Sequence, residues 1–185
     1  MSVVSSVFQE HIVKAKELKD QGTEFFQAGN FTKALACYTK IFLWTNAFDV
    51  PAALTNVKSD ESDTKCLSEI STEDQATLRG LKLAANLNCS ACYLKLADAT
   101  RALKFAEQAR QMDPSNSKAQ YRRGQAWLLL GELDKAEEDL VPSLKAFPNE
   151  AGIKAAIASL QQKKQEHVLK ERAHYRGLFD KVASL

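Results

Sequence analysis

The sequence predicts an all-α protein built from stacked antiparallel helix pairs and closed by one long terminal helix. Three observations carry this expectation. Residues 118–148 superimpose on 84–114 at a spacing of 34, so that Gly124 falls on Ser90, Trp127 on Tyr93, Ala136 on Ala102 and Pro148 on Pro114. Twice that spacing back from Ser90 lies Gly22, followed by Phe25, Ala34 and Tyr38 at the same offsets. Seven Gly and four Pro in 185 residues leave long uninterrupted stretches with helical periodicity.

Along the chain, the opening MSVVSSVFQEHIVKAK has a short apolar start with Lys14 and Lys16 behind it and no charged segment ahead of it, which argues against a secretory signal. The first copy spans about 15–48, with a turn expected at Gly29-Asn30. Residues 49–82 lack the pattern, since the aromatic position would be Ser59, and read as an insertion that lengthens the helices on either side. Six acids against two lysines give residues 58–74 a local charge of −4, and the stretch reads as a loop. It ends at Ser71, which with Asp74 three residues on resembles a capping box that starts the next helix.

The second copy spans about 83–116, with a turn at Ala97-Asp98, and the third about 117–150, with a turn at Gly131. Pro114 and Pro148 close these copies where helices must stop. In each copy the small residue of the first helix (Gly22, Ser90, Gly124) is expected against the alanine of the second (Ala34, Ala102, Ala136), so the helices pack closely. The aromatic three residues on fills the space beside that contact. Pro142 departs from the pattern and should bend its helix at a cost of roughly 3 kcal/mol. A stack of pairs needs a cover at its end. Residues 151–182 supply one: Ile153, Ala156, Ile157 and Leu160 recur at helical spacing, after which the face becomes charged and the helix is expected to project from the body.

Composition excludes several function classes. No apolar run approaches the roughly 20 residues of a membrane span, and a net charge of +2 is too small to argue for nucleic acid. The length and 45% hydrophobic content suit one domain with one sizeable core. Cys37, Cys66, Cys89 and Cys92 do not form a disulfide framework in so long a chain and are expected reduced, at a cytosolic or nuclear address. Cys89 and Cys92 form a C-x-x-C, but in the middle of a helix at packing positions, without the strand-to-helix junction of a redox site. His11, His167 and His174 lie far from any cluster with metal-ligand spacing, and there is no phosphate loop and no nucleophile with a base, so no metal, cofactor or catalytic residue is expected.

The repeated positions are the tetratricopeptide repeat signature. The stretches KELKDQGTEFFQAGNFTKALACYTK, NLNCSACYLKL, PSNSKAQYRRGQAWLLLGELDKAEEDL and ERAHYRGLF further resemble the C-terminal repeat domain of the large immunophilins, isomerases of the FK506-binding and cyclophilin types. The long insertion between the first two repeats belongs to the same pattern. The resemblance spans residues 8 to 182 and implies a right-handed superhelix of three helix-turn-helix repeats. It leaves no room in these residues for the isomerase domain that precedes the repeats in that family.

In the family's geometry the first helix of each pair lines the concave groove with its positions two, five, six and nine. Numbered from residues 15, 83 and 117, these positions hold Lys19 and Thr23, then Asn88, then Lys118 and Arg122. The set resembles the carboxylate clamp by which such domains hold the C-terminal Glu-Glu-Val-Asp of heat-shock protein 90 or heat-shock protein 70. Ammonium, guanidinium and amide donors suit a terminal carboxylate and an Asp side chain. Lys95 is an additional groove contact on the same reading. The strict clamp has Asn where Thr23 stands, and a hydroxyl that donates one bond would retain binding. Arg123 falls on another face and is expected to be structural.

The resemblance therefore implies a non-catalytic co-chaperone adaptor with chaperone specificity left open. A repeat scaffold for another acidic or internal peptide, and the targeting module of an enzyme, remain the competing readings. Residues 154 to 181 carry seven Lys or Arg against three acids. Related immunophilins imply calmodulin as a partner for this basic helix, while a solvated face is the simpler reading.

Overall fold

The computed structural model describes residues 3–48 and 71–183, with side chains described for 6–46, 48 and 71–176. Most of the acidic loop, Cys66 and the last turn of the expected terminal helix, as far as its side chains are concerned, lie outside the described residues. Those residues contain seven α-helices and no strand, and the chain divides into two compact units, Met1–Asn116 and Ser117–Leu185.

The first unit holds α1 (Val3–Gln27), α2 (Phe31–Thr45), a short 3-10 turn (Asn46–Phe48), α3 (Thr72–Lys95) and α4 (Ala99–Met112). Its core interleaves Phe8, Ile12, Ala15 and Leu18 of α1 with Ala34, Tyr38 and Ile41 of α2 and with Leu78, Leu81, Ala85, Cys89 and Cys92 of α3. The spacing of three and four on each helix produces the single apolar stripe that packing requires. The second unit holds α5 (Ser117–Leu130), α6 (Leu133–Ala146) and α7 (Ala151–Ala183). There Leu128, Ala136, Leu140, Ala156 and Leu160 meet, with Trp127 and Ile157 packed against them.

Helix α3 starts where the Ser71 cap predicts. The Ser71 hydroxyl oxygen accepts from the Asp74 N–H at 3.1 Å and its proton goes to Asp74 Oδ2 at 2.9 Å. The helix begins well before the repeat boundary at residue 83, so the insertion lengthens it as expected. The other flank is different: α2 ends at Thr45, inside its repeat, because the chain tightens into the 3-10 turn that brings Phe48 onto Phe8 and His11.

The three turns inside the pairs share one design. Phe25, Tyr93 and Trp127 each offer their carbonyl to the N–H five residues on, at Asn30, Asp98 and Glu132, with bonds of 2.8, 2.9 and 3.0 Å. The residue before each acceptor turn closes is left-handed: Gly29 at φ 75°, Ala97 at φ 57° and Gly131 at φ 83°. Asn30 and Asp98 then cap the following helix through their side chains, while Glu132 makes no such bond. The backbone N–H of Arg101, and then its guanidinium, hold the Asp98 carboxyl below the usual range. A left-handed alanine is strained by its Cβ. Ala97→Gly is therefore expected to raise stability by roughly 0.5–1 kcal/mol, after the entropy glycine adds to the unfolded chain. A lowered urea midpoint would contradict this account of the turn.

Gly22 and Gly124 leave no room for a side chain, as the sequence suggests. A Cβ added at Gly124 would lie 2.8 Å from Leu140 Cγ and 3.0 Å from Asp139 Cβ, and one at Gly22 would lie 2.5 Å from Tyr38 Cε1. These neighbours sit about one turn beyond Ala136 and Ala34 on the second helix of each pair. Ser90 meets its alanine directly, donating its hydroxyl to the Ala102 carbonyl at 2.9 Å. Pro142 lies on the exposed side of a continuous α6, and Ser143, next to it, donates its hydroxyl to the Asp139 carbonyl at 2.7 Å.

The first half of α7 covers the second unit as predicted, with Ile153, Ala156 and Leu160 buried. Its basic residues are less free than a solvated face implies. Lys163 donates to the Leu128 carbonyl at 3.0 Å, and Lys164 reaches Glu137 at 2.6 Å and Asp134 at 3.1 Å. From Gln165 to Arg176 every side chain is exposed.

Candidate peptide-binding site

Long amphipathic helices present the sequence-predicted groove residues in two separate groups. Lys19, Thr23, Asn88 and Lys95 belong to the first unit, and Lys118 and Arg122 to the second. Lys19 and Thr23 on α1, like Lys118 and Arg122 on α5, stand one turn apart, as a spacing of four requires, whereas Asn88 and Lys95 on α3 lie two turns apart.

On α1, Leu18 and Gly22 turn inward while Lys19 stays 38% exposed, with its ammonium 3.7 Å from the more exposed Asp20 carboxylate. So long and open a pair contributes little, and the ammonium can exchange Asp20 for another carboxylate at little loss. Thr23, one turn on, differs from expectation. Its hydroxyl donates to the Lys19 carbonyl at 2.9 Å and accepts from Tyr38 Oη at 3.3 Å. The single proton expected to reach a ligand is spent on the helix itself, a common habit of threonine in mid-helix. Thr23 therefore offers a ligand no donor in this arrangement.

On α3, Asn88 is half-buried between buried Leu87 and Cys89, and Lys95 is exposed in the last turn, where a cation favours the helix dipole. On α5, Ala119, Gly124 and Ala126 take the packed face. Lys118 is exposed in the first turn and Arg122 is half-buried one turn above it. Tyr121, beside Arg122, has its phenol pushed up by burial first and by Glu150 second, and it accepts a bond from Gln125 at 2.8 Å.

Arg123 has the structural role expected of it. Its Nε and Nη2 each lie 2.7 Å from the Asp139 carboxylate, which is 2% exposed, so the two residues form a bidentate ion pair inside the second unit. Sequence reasoning missed this partner, although an aspartate on the same stripe as Ala136, Leu140 and Ser143 was a signal that a cation had to reach it. It also missed a repeated cation over the repeated aromatic. Lys33 sits 5.6 Å from the Phe25 ring centre, Arg101 4.7 Å from Tyr93 and Lys135 4.6 Å from Trp127. Each pair joins the two helices of one repeat across the same turn.

The C-x-x-C residues have no exposed surface, and burial first and Cys92 second push the Cys89 thiol up to about 12. At neutral pH it is protonated and unreactive. Replacing both by alanine is expected to cost a modest amount of packing and to leave peptide titrations unchanged. Loss of binding with native helical content, or binding that follows the redox poise, would overturn their packing role. Among the described residues no group of three His, Cys, Asp or Glu is placed to hold a metal ion, and no helix is long and apolar enough to cross a membrane.

Residues 93–160 match the Tetratricopeptide repeat family model. The rat peptidyl-prolyl cis-trans isomerase FKBP4 is 27% identical over 175 residues, 95% of this chain and 34% of that protein. The chain thus spans about a third of the length of the curated relatives it matches. Among solved structures, the C-terminal repeat-containing domain of a Plasmodium falciparum FK506-binding protein superimposes with a TM-score of 0.68 at 22% identity, covering 86% of this chain and 94% of that one. The second repeat domain of human RPAP3, solved with the HSP70 peptide SGPTIEEVD, gives a TM-score of 0.54 at 25% identity and covers 85% and 98%.

Proposed function

We propose that this chain, a tetratricopeptide repeat domain homologous to the repeat region of the FKBP4 isomerases, is a non-catalytic adaptor that holds the C-terminal Glu-Glu-Val-Asp of heat-shock protein 90 or heat-shock protein 70. The observation that carries the reading is the identity of the groove positions. Lys19, Asn88, Lys118 and Arg122 stand where the repeat register puts ligand-facing side chains, and a neighbour of this fold was solved with a peptide that ends in those four residues.

In the proposed mode, Lys19 and Asn88 of the first unit and Lys118 and Arg122 of the second serve the terminal carboxylate and the Asp side chain. The guanidinium donates two parallel bonds, the ammonium groups neutralise charge, and the Asn amide orients one oxygen. Thr23 supplies shape and no donor, and Lys95 meets acidic residues upstream. The domain acts in the cytoplasm, where both chaperones present their tails, and joins a client-directed activity to them. Basic α7 offers calmodulin a second contact.

Calorimetric titration with the two chaperones' C-terminal peptides tests the proposal. Saturable binding near micromolar, about −8 kcal/mol, is expected for at least one, and their ratio assigns the chaperone. Equal binding of an internal acidic peptide with a blocked carboxyl end would favour a general scaffold instead.

A further inference from the structure

We propose that Tyr121, Gln125 and Glu150 of the second unit form a seat for a basic side chain, arginine above all, that lies upstream of the ligand's acidic end. The seat rests on the adaptor reading and gives that site a preference the reading leaves open.

The three residues meet where α5 lies beside the start of α7. Gln125 stands one turn beyond Tyr121, and its Nε2 donates to the Tyr121 hydroxyl at 2.8 Å. That hydroxyl sits over the first turn of α7, where a Cβ added at Gly152 would lie 2.9 Å from it. Glycine weakens a helix, and at this position its missing Cβ is what leaves room for the phenol. Glu150 opens the same turn: its carbonyl accepts from the Ile153 and Lys154 N–H groups at 3.2 Å, and its charge is felt at the Tyr121 hydroxyl.

Two acceptors at this seat are unspent. Gln125 Oε1 and the exposed Glu150 carboxylate have no hydrogen bond or ion pair among the described residues, not even with Lys154 one turn along α7. Between them stands Tyr121, whose ring is partly exposed. An aromatic face flanked by two acceptors suits a guanidinium, which is planar, carries five donors and stacks on aromatic rings. The chain already pairs cations with rings in this way, with Arg101 4.7 Å from the Tyr93 centre and Lys135 4.6 Å from that of Trp127. Arg122, next to Tyr121, would repel a second cation unless its own charge were met. In the adaptor mode a ligand carboxylate meets it. Charge along this face, first Lys118 and Arg122 and then Glu150, therefore matches a peptide that is acidic at its end and basic before it.

The test titrates the full chain with acetyl-Ser-Arg-Met-Glu-Glu-Val-Asp and with the same peptide carrying Arg→Ala or Arg→Glu, all with free carboxyl ends. One exposed ion pair with ring stacking predicts that the Arg peptide binds about fivefold more tightly than the Ala peptide, with the Glu peptide weakest. Glu150→Gln should reduce the preference for Arg while leaving the Ala peptide unaffected, and Glu150→Lys should reverse the order so that the Glu peptide binds best. Tyr121→Leu should weaken the Arg peptide more than the Ala peptide. Equal binding of the three peptides by the unaltered chain, or an order that Glu150→Lys leaves in place, would overturn the seat and leave the adaptor reading standing. If none of the three binds, both fall.

Discussion

Arg123→Ala is expected to destabilise the second unit by about 3–5 kcal/mol, the loss that follows when one member of a buried ion pair is removed. The Asp139 carboxylate is 2% exposed and takes two charge-assisted bonds of 2.7 Å from the guanidinium. Without them, a charge costly to desolvate stays beneath α5. Removing both charges, as in Arg123→Met with Asp139→Leu, should recover most of the loss, since apolar side chains of similar volume replace buried pairs well. Urea unfolding of the single and double variants checks this. A single-variant loss under 1 kcal/mol would show that the pair carries little of the fold. Below its melting temperature the Arg123→Ala domain should still bind peptide, because Arg123 is held by Asp139 and is not one of the groove residues.

Gly124→Leu is expected to cost several kcal/mol at the adjacent position. Even one added carbon meets Leu140 Cγ at 2.8 Å, Leu140 Cδ2 at 2.9 Å and Asp139 Cβ at 3.0 Å. A leucine pushes α5 and α6 apart or forces Leu140 out of its rotamer, and overpacking of this kind typically costs 1–3 kcal/mol or more. It also disturbs Asp139 at its pair with Arg123, so the two losses should be strongly non-additive when combined. An unchanged thermal midpoint would remove the close helix pairing on which each repeat depends.

The helix pairs were legible because the 34-residue spacing repeats local requirements: a small residue, an aromatic, a left-handed turn and a closing proline. Ser71 with Asp74, and the stripe Ile153, Ala156 and Leu160, were legible for the same reason, since caps and amphipathic faces are set by neighbours in sequence. That an added carbon at Gly124 would first meet Leu140 and Asp139 was not, because the way two helices cross decides which side chains crowd a small residue. The fate of the Thr23 proton was hidden too, since a threonine four residues past a carbonyl can bond either its own helix or a ligand. Lys163 and Lys164 read as solvated until α7 is laid against α5 and α6. The groove positions themselves came from the repeat register, which says which face a side chain takes and not what it holds.

The central claim is that the groove residues hold a terminal carboxylate, and calorimetry on matched variants tests it most directly. Charge-assisted hydrogen bonds to a carboxylate contribute on the order of 1.5–3 kcal/mol each. Against a peptide ending in Glu-Glu-Val-Asp, Arg122→Ala or Lys19→Ala should therefore weaken binding at least tenfold with helical content intact. Amidating the peptide's terminal carboxylate should reproduce the loss from the other side, and added salt should weaken the unmodified pair. If Arg122→Ala and the amidated peptide both bind as the originals do, Lys118 and Arg122 are ordinary surface charges and the clamp does not exist.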